Sequence, residues 1–229
     1  MNLQRLAAIF LSLFFFNLAL HAQSAAKPPA KRDPAFDPIQ DDPKLPRVLL
    51  IGDSISIGYT VAVRDLLKGK VNVHRIPENG GPTTNGLAKL EKWLGSGKWD
   101  VIHFNWGLHD LKYMESGQRQ MSSEDYEKNL RELVKRLKAT GAKLIWCSTT
   151  PVPDAKTSPP RKNSDVIAYN EIAKRVMGEN KVAIDHLYAY AMPELEKTQL
   201  PANVHYTKEG SEFLAKQVVA SIETALKSP

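Results

Sequence analysis

From position 47 onward, apolar residues fall in short unbroken runs, and each run is followed by a stretch whose apolar positions recur every three or four residues. Unbroken runs of Val, Leu and Ile read as strands buried on both faces, and the 3.6-residue period reads as helices that cover them. The runs at 47–52, 71–76, 100–106, 143–148 and 181–185 predict five strands. Helical patterns lie between them near 57–68, 86–95, 122–139 and 164–177. The third helix is the clearest: Tyr126, Leu130, Leu133, Val134 and Leu137 share one face, Ser122 and Asp125 are spaced as a capping box, and Gly141 stands just past the end. A last amphipathic stretch, 207–226, turns Phe213, Leu214, Val218, Val219 and Ile222 to one side. Alternation of this kind predicts an α/β fold, a three-layer α/β/α sandwich around a five-stranded parallel sheet.

The residues before that region have another character. Arg5 is the only charge ahead of an apolar stretch from Leu6 to Leu20, and Ala22, Ser24 and Ala26 follow. The stretch is shorter than the roughly 20 residues of a membrane span, so 1–22 is expected to be a secretory signal peptide and the mature chain secreted or periplasmic, with no stable span after cleavage. Residues 23–46 hold six prolines among Lys, Asp and Ala, a composition that buries no core and reads as a Pro-rich tether or strap. That leaves 47–229 as one domain, the size at which roughly 70% of the unfolded surface is buried.

Charge changes the picture little. Loss of 1–22 removes one of the 31 basic side chains, leaving 30 against 25 acidic ones and a net charge of +5. Lys and Arg alternate with Glu and Asp along 126–138, as on a solvated helix face, and no aromatic-interleaved basic stripe for nucleic acid is present. Cys147 is the only cysteine, which excludes an internal disulfide and places the burden of stability on the core.

Ligands of open parallel sheets bind outside the carboxyl ends of the strands, so candidate chemistry is sought in the loops that follow them. Four carry unusual content: Gly52-Asp53-Ser54; Glu78 to Thr84, with Gly80 and Gly81; Asn105 to Asp110, with Gly107 and His109; and the proline-rich 149–163, with Arg161 and Lys162. Val204-His205 precedes the last helix. Taken singly, Ser54 reads as a helix cap and His205 as a satisfied histidine; together they read as a nucleophile and its base. His74 and His103 read as strand residues, no His-Glu-x-x-His spacing occurs, and no metal site or other cofactor is expected. The four tryptophans, Trp93, Trp99, Trp106 and Trp146, read as core residues, and Cys147 as an inert buried thiol.

With these loops in order, the chain resembles the SGNH hydrolases, also called GDSL esterases and lipases, over roughly 47–226. The resemblance implies a flavodoxin-like SGNH hydrolase fold and an acyl-enzyme mechanism, with Gly52-Asp53-Ser54 carrying the nucleophile and His205 the base. It implies an oxyanion hole made by the N–H groups of Ser54 and Gly81, with Gly80 the alternate for the latter. Two departures accompany it. Histidine, His109, stands where the family's Gly-x-Asn-Asp has asparagine, so either His109 or Asn105 is expected to complete the hole. Ala202 stands where the family places an aspartate, three residues before the base, so a backbone carbonyl near Pro201 or Ala202 is expected to orient His205.

The expected function is an exported serine esterase that removes small acyl groups, acetyl foremost, from small-molecule or polysaccharide esters. A lysophospholipase or short-chain lipid esterase is the alternative within enzymes. A catalytically inactive glycan- or partner-binding relative is the alternative outside them, motivated by the two departures. The sequence specifies neither acyl group nor oligomeric state.

Overall fold

The computed structural model describes residues 32–228; the expected signal peptide and the first part of the tether fall outside these. Strands β1 (Arg47–Ile51), β2 (Asn72–Arg75), β3 (Val101–Phe104), β4 (Lys143–Cys147) and β5 (Ala183–Asp185) form one parallel sheet in the order β2-β1-β3-β4-β5. This is the flavodoxin-like order, whose switch point lies between β1 and β3. Every residue of β3, and all of β1 except Arg47, is buried, because helices cover both faces; continuous apolar runs are the sequence consequence.

Helices α1 (Ser54–Leu66) and α7 (Lys208–Lys227) pack together on one face, and α2 (Thr83–Leu94), α3 (Ser123–Lys138) and α4 (Asn163–Asn180) pack in sequence on the other. Leu49, Leu50, Ile51, Phe104, Trp106, Trp146 and Tyr126 are among the largest side chains fully enclosed between the layers. Each contributes about 1.5–3 kcal/mol relative to exposure. Ser122 accepts the Asp125 N–H at 3.0 Å, as the capping spacing predicted.

Some boundaries differ from the sequence expectation. Helix α1 starts at Ser54 rather than 57 because the Asp53 carboxylate accepts the Ile55 N–H at 3.0 Å and caps the helix directly after the strand. Helix α2 starts at Thr83, right after Pro82, rather than at 86. Two short helices, α5 (Leu187–Ala191) and α6 (Leu195–Thr198), were not expected; Pro193 breaks the periodicity between them.

The described part of the proline-rich segment, residues 32–46, lies against the domain. A single 3-10 turn, Pro34–Phe36, buries Ala35 and passes the Pro34 carbonyl to Arg64. Asn72 on β2 bonds the backbone of Asp42 and Leu45.

Candidate active site

The loops after β1, β2, β3 and β4 and the segment before α7 meet at the carboxyl edge of the sheet. Ser54 is the first residue of α1, where the leading N–H groups of a helix lack partners within it. The turn that carries Ser54 is tightly enclosed. A Cβ on Gly52 would come within 2.9 Å of the Ser56 side chain, and one on Gly80 within 2.9 Å of the Gly52 carbonyl oxygen. The Gly80 N–H donates to that same oxygen at 2.9 Å, joining the second loop to the first.

A buried guanidinium fixes both loops from below. Arg75, at the end of β2, donates to the carbonyls of Gly52, Asp53, Ile76 and Glu78 at 2.9–3.1 Å and to Ser56 Oγ at 2.6 Å. Burial pulls this group down to about 10, still charged at neutral pH; nearby Tyr59 and Asp53 oppose the shift. Sequence reading missed Arg75. Its signal was a lone arginine ending an otherwise buried strand, directly below the glycine loop.

Ser54 Oγ lies 2.8 Å from Nε2 of His205, 151 positions later in the chain. His205 is exposed and sits on a short hairpin in which the Leu200 N–H donates to the His205 carbonyl at 2.9 Å. Its other ring nitrogen, Nδ1, is 2.7 Å from the side-chain oxygen of Asn203, which also accepts the His205 backbone N–H at 3.1 Å. This corrects the expected orienter: the side chain of Asn203 faces Nδ1, not the carbonyl of Pro201 or Ala202. Nor do Asp110 or Asp185 reach it. The cue was an asparagine two residues before the histidine, the spacing at which such a side chain caps a following backbone N–H.

The four expected oxyanion donors divide. The Ser54 N–H has no hydrogen-bond partner among the described residues. His109, half-buried in the loop after β3, likewise has none on either ring nitrogen. Burial pushes its imidazole below the usual value, Asp53 opposes this, and the charges of Lys112 and Arg161 reinforce it, which favours the neutral form. Gly81, with φ of 62°, has its N–H engaged by Asn79 Oδ1 at 2.9 Å in a tight local turn, and is not a free donor in this state. Asn105 is corrected as well: its amide donates to the Cys147 carbonyl at 2.7 Å and to Thr149 Oγ1 at 3.1 Å, tying β3 to β4. Both its N–H bonds are thus used in the framework.

The remaining motif residues are framework too. A Cβ on Gly107 would fall 2.1 Å from Thr149 Oγ1, so only glycine fits. Asp110 accepts the Thr83 N–H at 2.9 Å and the Thr83 hydroxyl at 2.6 Å, binding the third loop to the first residue of α2. Arg161 donates to the Leu108 carbonyl at 2.7 Å, next to His109, and Lys162 lies over the Tyr113 ring.

Among the described residues, one trio has metal-ligand spacing, His103, Cys147 and Asp185, and all three are buried. His103 Nε2 bonds Asp185 Oδ2 at 2.9 Å, and Gln217 and Ser221 take further positions on the same carboxylate. Burial raises the Cys147 thiol well above its usual value. The trio is a satisfied polar cluster inside the core. A surface hollow of 690 Å³ lies between α2 and α3 and shares no residue with the cleft.

The sequence pattern of the GDSL-like Lipase/Acylhydrolase family matches residues 50–213. Several solved structures share the fold. An acetyl xylan esterase, AlAXEase, is 18% identical, with 77% of this chain and 99% of that one aligned at a TM-score of 0.66. A lipase/acylhydrolase from Enterococcus faecalis is 21% identical, with coverages of 79% and 96% and a TM-score of 0.68. An acetylxylan esterase from Geobacillus stearothermophilus is 19% identical, with coverages of 77% and 94% and a TM-score of 0.64. No curated protein matches the chain.

Proposed function

The chain belongs to the GDSL-like lipase/acylhydrolase family of ester-cleaving hydrolases, and from that premise we propose that it is an exported esterase that removes acetyl or similarly small acyl groups from carbohydrate. The observation that carries the reading is the 2.8 Å approach of Ser54 Oγ to His205 Nε2 at the start of α1. In the proposed reaction Ser54 Oγ attacks the ester carbonyl carbon while its proton passes to Nε2. The tetrahedral oxyanion is met by the Ser54 N–H and by neutral His109, and the alcohol leaves with the proton from His205. Water, activated by the same imidazole, then releases the acid and restores Ser54. Gly81 joins the hole only if its N–H exchanges Asn79 for substrate.

Three things support the carbohydrate side. The acetyl xylan esterases share the fold. Two cations, Lys112 and Arg161, act on His109, and Arg161 donates to the neighbouring Leu108 carbonyl. The signal-like run 1–22 supports export to the secreted or periplasmic space where polysaccharide is met. One observation favours short-chain lipid esters instead: in a groove of 570 Å³ beside the base hairpin, the exposed Met192 and Leu200 stand with three prolines, although Asp154, Glu196 and Lys197 line it too.

The test is hydrolysis of 4-nitrophenyl acetate, acetylated xylan and lysophosphatidylcholine by wild type and Ser54→Ala. Loss of about 10³-fold or more in the variant, with acetylated xylan preferred, is expected. Negligible rates with both proteins on every ester defeat the proposal and favour a glycan-binding relative.

A further inference from the structure

We propose that Asn203 is the positioning residue for His205, replacing by a neutral amide the aspartate that Ala202 lacks, and that it does so by locking a single imidazole tautomer. The inference rests on Ser54 and His205 being nucleophile and base.

The backbone N–H of His205 can only donate. The Asn203 side-chain atom that meets it at 3.1 Å is therefore the amide oxygen and not the NH₂ group. The same oxygen lies 2.7 Å from Nδ1, so Nδ1 carries its hydrogen. A neutral imidazole has one N–H, which leaves Nε2 bare and facing the Ser54 hydroxyl at 2.8 Å. The chain of bonds thus runs in one direction, with Nδ1–H donating to Asn203 and the serine hydroxyl donating to Nε2. That is the tautomer a general base requires.

The contrast with the serine proteases is instructive. There, asparagine in place of the triad aspartate lowers turnover about 10⁴-fold, largely because it stabilises the wrong tautomer. Here a second donor, the backbone N–H of His205 itself, fixes which end of the amide faces the ring. Turning the amide over would set its NH₂ against the His205 backbone N–H and lose that bond, even if the ring changed tautomer to accept at Nδ1. The local backbone is shaped for this. The Asn203 N–H donates to the Leu200 carbonyl at 3.2 Å, closing a turn in which Pro201 precedes Ala202 at φ 50°. Ala202 is thereby given to the left-handed turn position, and the orienting side chain moves one residue closer to the histidine.

A neutral orienter holds the ring but does not stabilise its positive form, so exchange for aspartate should move the pH dependence. The charged groups that act on His109 across the cleft are Asp53 at the cap of α1, Lys112 in the loop after β3 and Arg161 in the loop after β4. All are the same in every variant.

The experiment compares full-length wild type, Asn203→Ala and Asn203→Asp. It records kcat/KM for 4-nitrophenyl acetate against pH, and the imidazole nitrogens by ¹H–¹⁵N correlation in ¹⁵N-histidine-labelled protein. For Asn203→Ala, a fall of about 10²-fold, mostly in kcat and short of the ~10⁴ of a wrong tautomer, is expected. Asn203→Asp should recover most of the plateau rate with its acid limb about one pH unit higher. The wild-type spectrum should show His205 protonated at Nδ1 at alkaline pH, and the alanine variant should shift toward Nε2–H. Wild type protonated at Nε2, or an aspartate profile superimposable on wild type, overturns the proposal. If wild type cleaves no ester, the hydrolase reading fails, and the nitrogen spectra still decide the tautomer.

Discussion

The two sides of the candidate site are built by different means. The Ser54 turn is enclosed in the sheet: Gly52 and Asp53 are buried, Gly80 bonds Gly52, and the Arg75 guanidinium holds carbonyls from both sides. The tip of the His205 hairpin is exposed, and the hairpin is held by buried Gln199, Val204 and Tyr206 together with its own bonds. Its outside anchors are the Gln199 amide, which donates to the Pro151 carbonyl at 3.0 Å, and the Thr207 N–H, which donates to Thr198. The nucleophile therefore inherits the rigidity of the whole fold, whereas the base is aimed by a few bonds within eight residues. Fold stability and catalytic geometry should be separable on the second side and inseparable on the first.

The largest expected effect is the breaking of the first side. Arg75→Met leaves up to four backbone carbonyls around the nucleophile turn without their buried donor, at about 1–3 kcal/mol for each that finds no water. A loss of about 3–5 kcal/mol is expected, with activity falling in proportion to the folded fraction measured by urea unfolding. Activity lost without any shift of the unfolding midpoint would show that the two properties are not joined there.

A smaller effect is expected on the other side. Gln199→Leu removes the donor to Pro151 and to the Val204 carbonyl at 3.2 Å, so about 1–3 kcal/mol of stability should be lost. The hairpin would then swing more freely, and kcat should drop about tenfold in the protein that remains folded, while KM stays close to wild type. A kcat unchanged after correction for folded fraction would mean that the hairpin is aimed without its Gln199 anchor.

This difference also explains what the sequence made legible. Strands β1 and β3 are read easily, because burial on both faces writes an unbroken apolar run, and Gly52-Asp53-Ser54 stands at the end of the first. Gly107 is legible for a related reason: its backbone is pressed so closely to Thr149 that no side chain fits. The orienter was misplaced because it is set by a turn of four residues, where one left-handed Ala202 shifts the acting side chain by a position. Asn105 and Gly81 were given free donors that local bonds take up. Such bonds leave no periodic trace, and the choice between framework and function at a polar residue depends on neighbours brought from distant parts of the chain.

The smallest effect concerns how the enclosed side is held together. Asp110 joins the third loop to Thr83 with Oδ1 only; its Oδ2 is buried without a partner among the described residues. Burial raises this carboxyl from 3.8 to about 7, and the bonds from Thr83 only partly offset it. Because the folded value lies above the unfolded one, the group binds its proton more tightly in the native state. Its contribution to stability is complete below roughly pH 4 and is lost as pH rises through about 7. Asp110→Asn cannot titrate, so the melting temperature of wild type minus that of the variant should fall between pH 4 and pH 8. A fall of at least about 2–4 °C is expected, the response of a domain of this size to ~1 kcal/mol. A difference that stays level across that range would mean that Asp110 ionises as an ordinary carboxylate. Thr83 would then be held by a full charge at the start of α2, and the second loop would be fixed electrostatically rather than by a neutral acid.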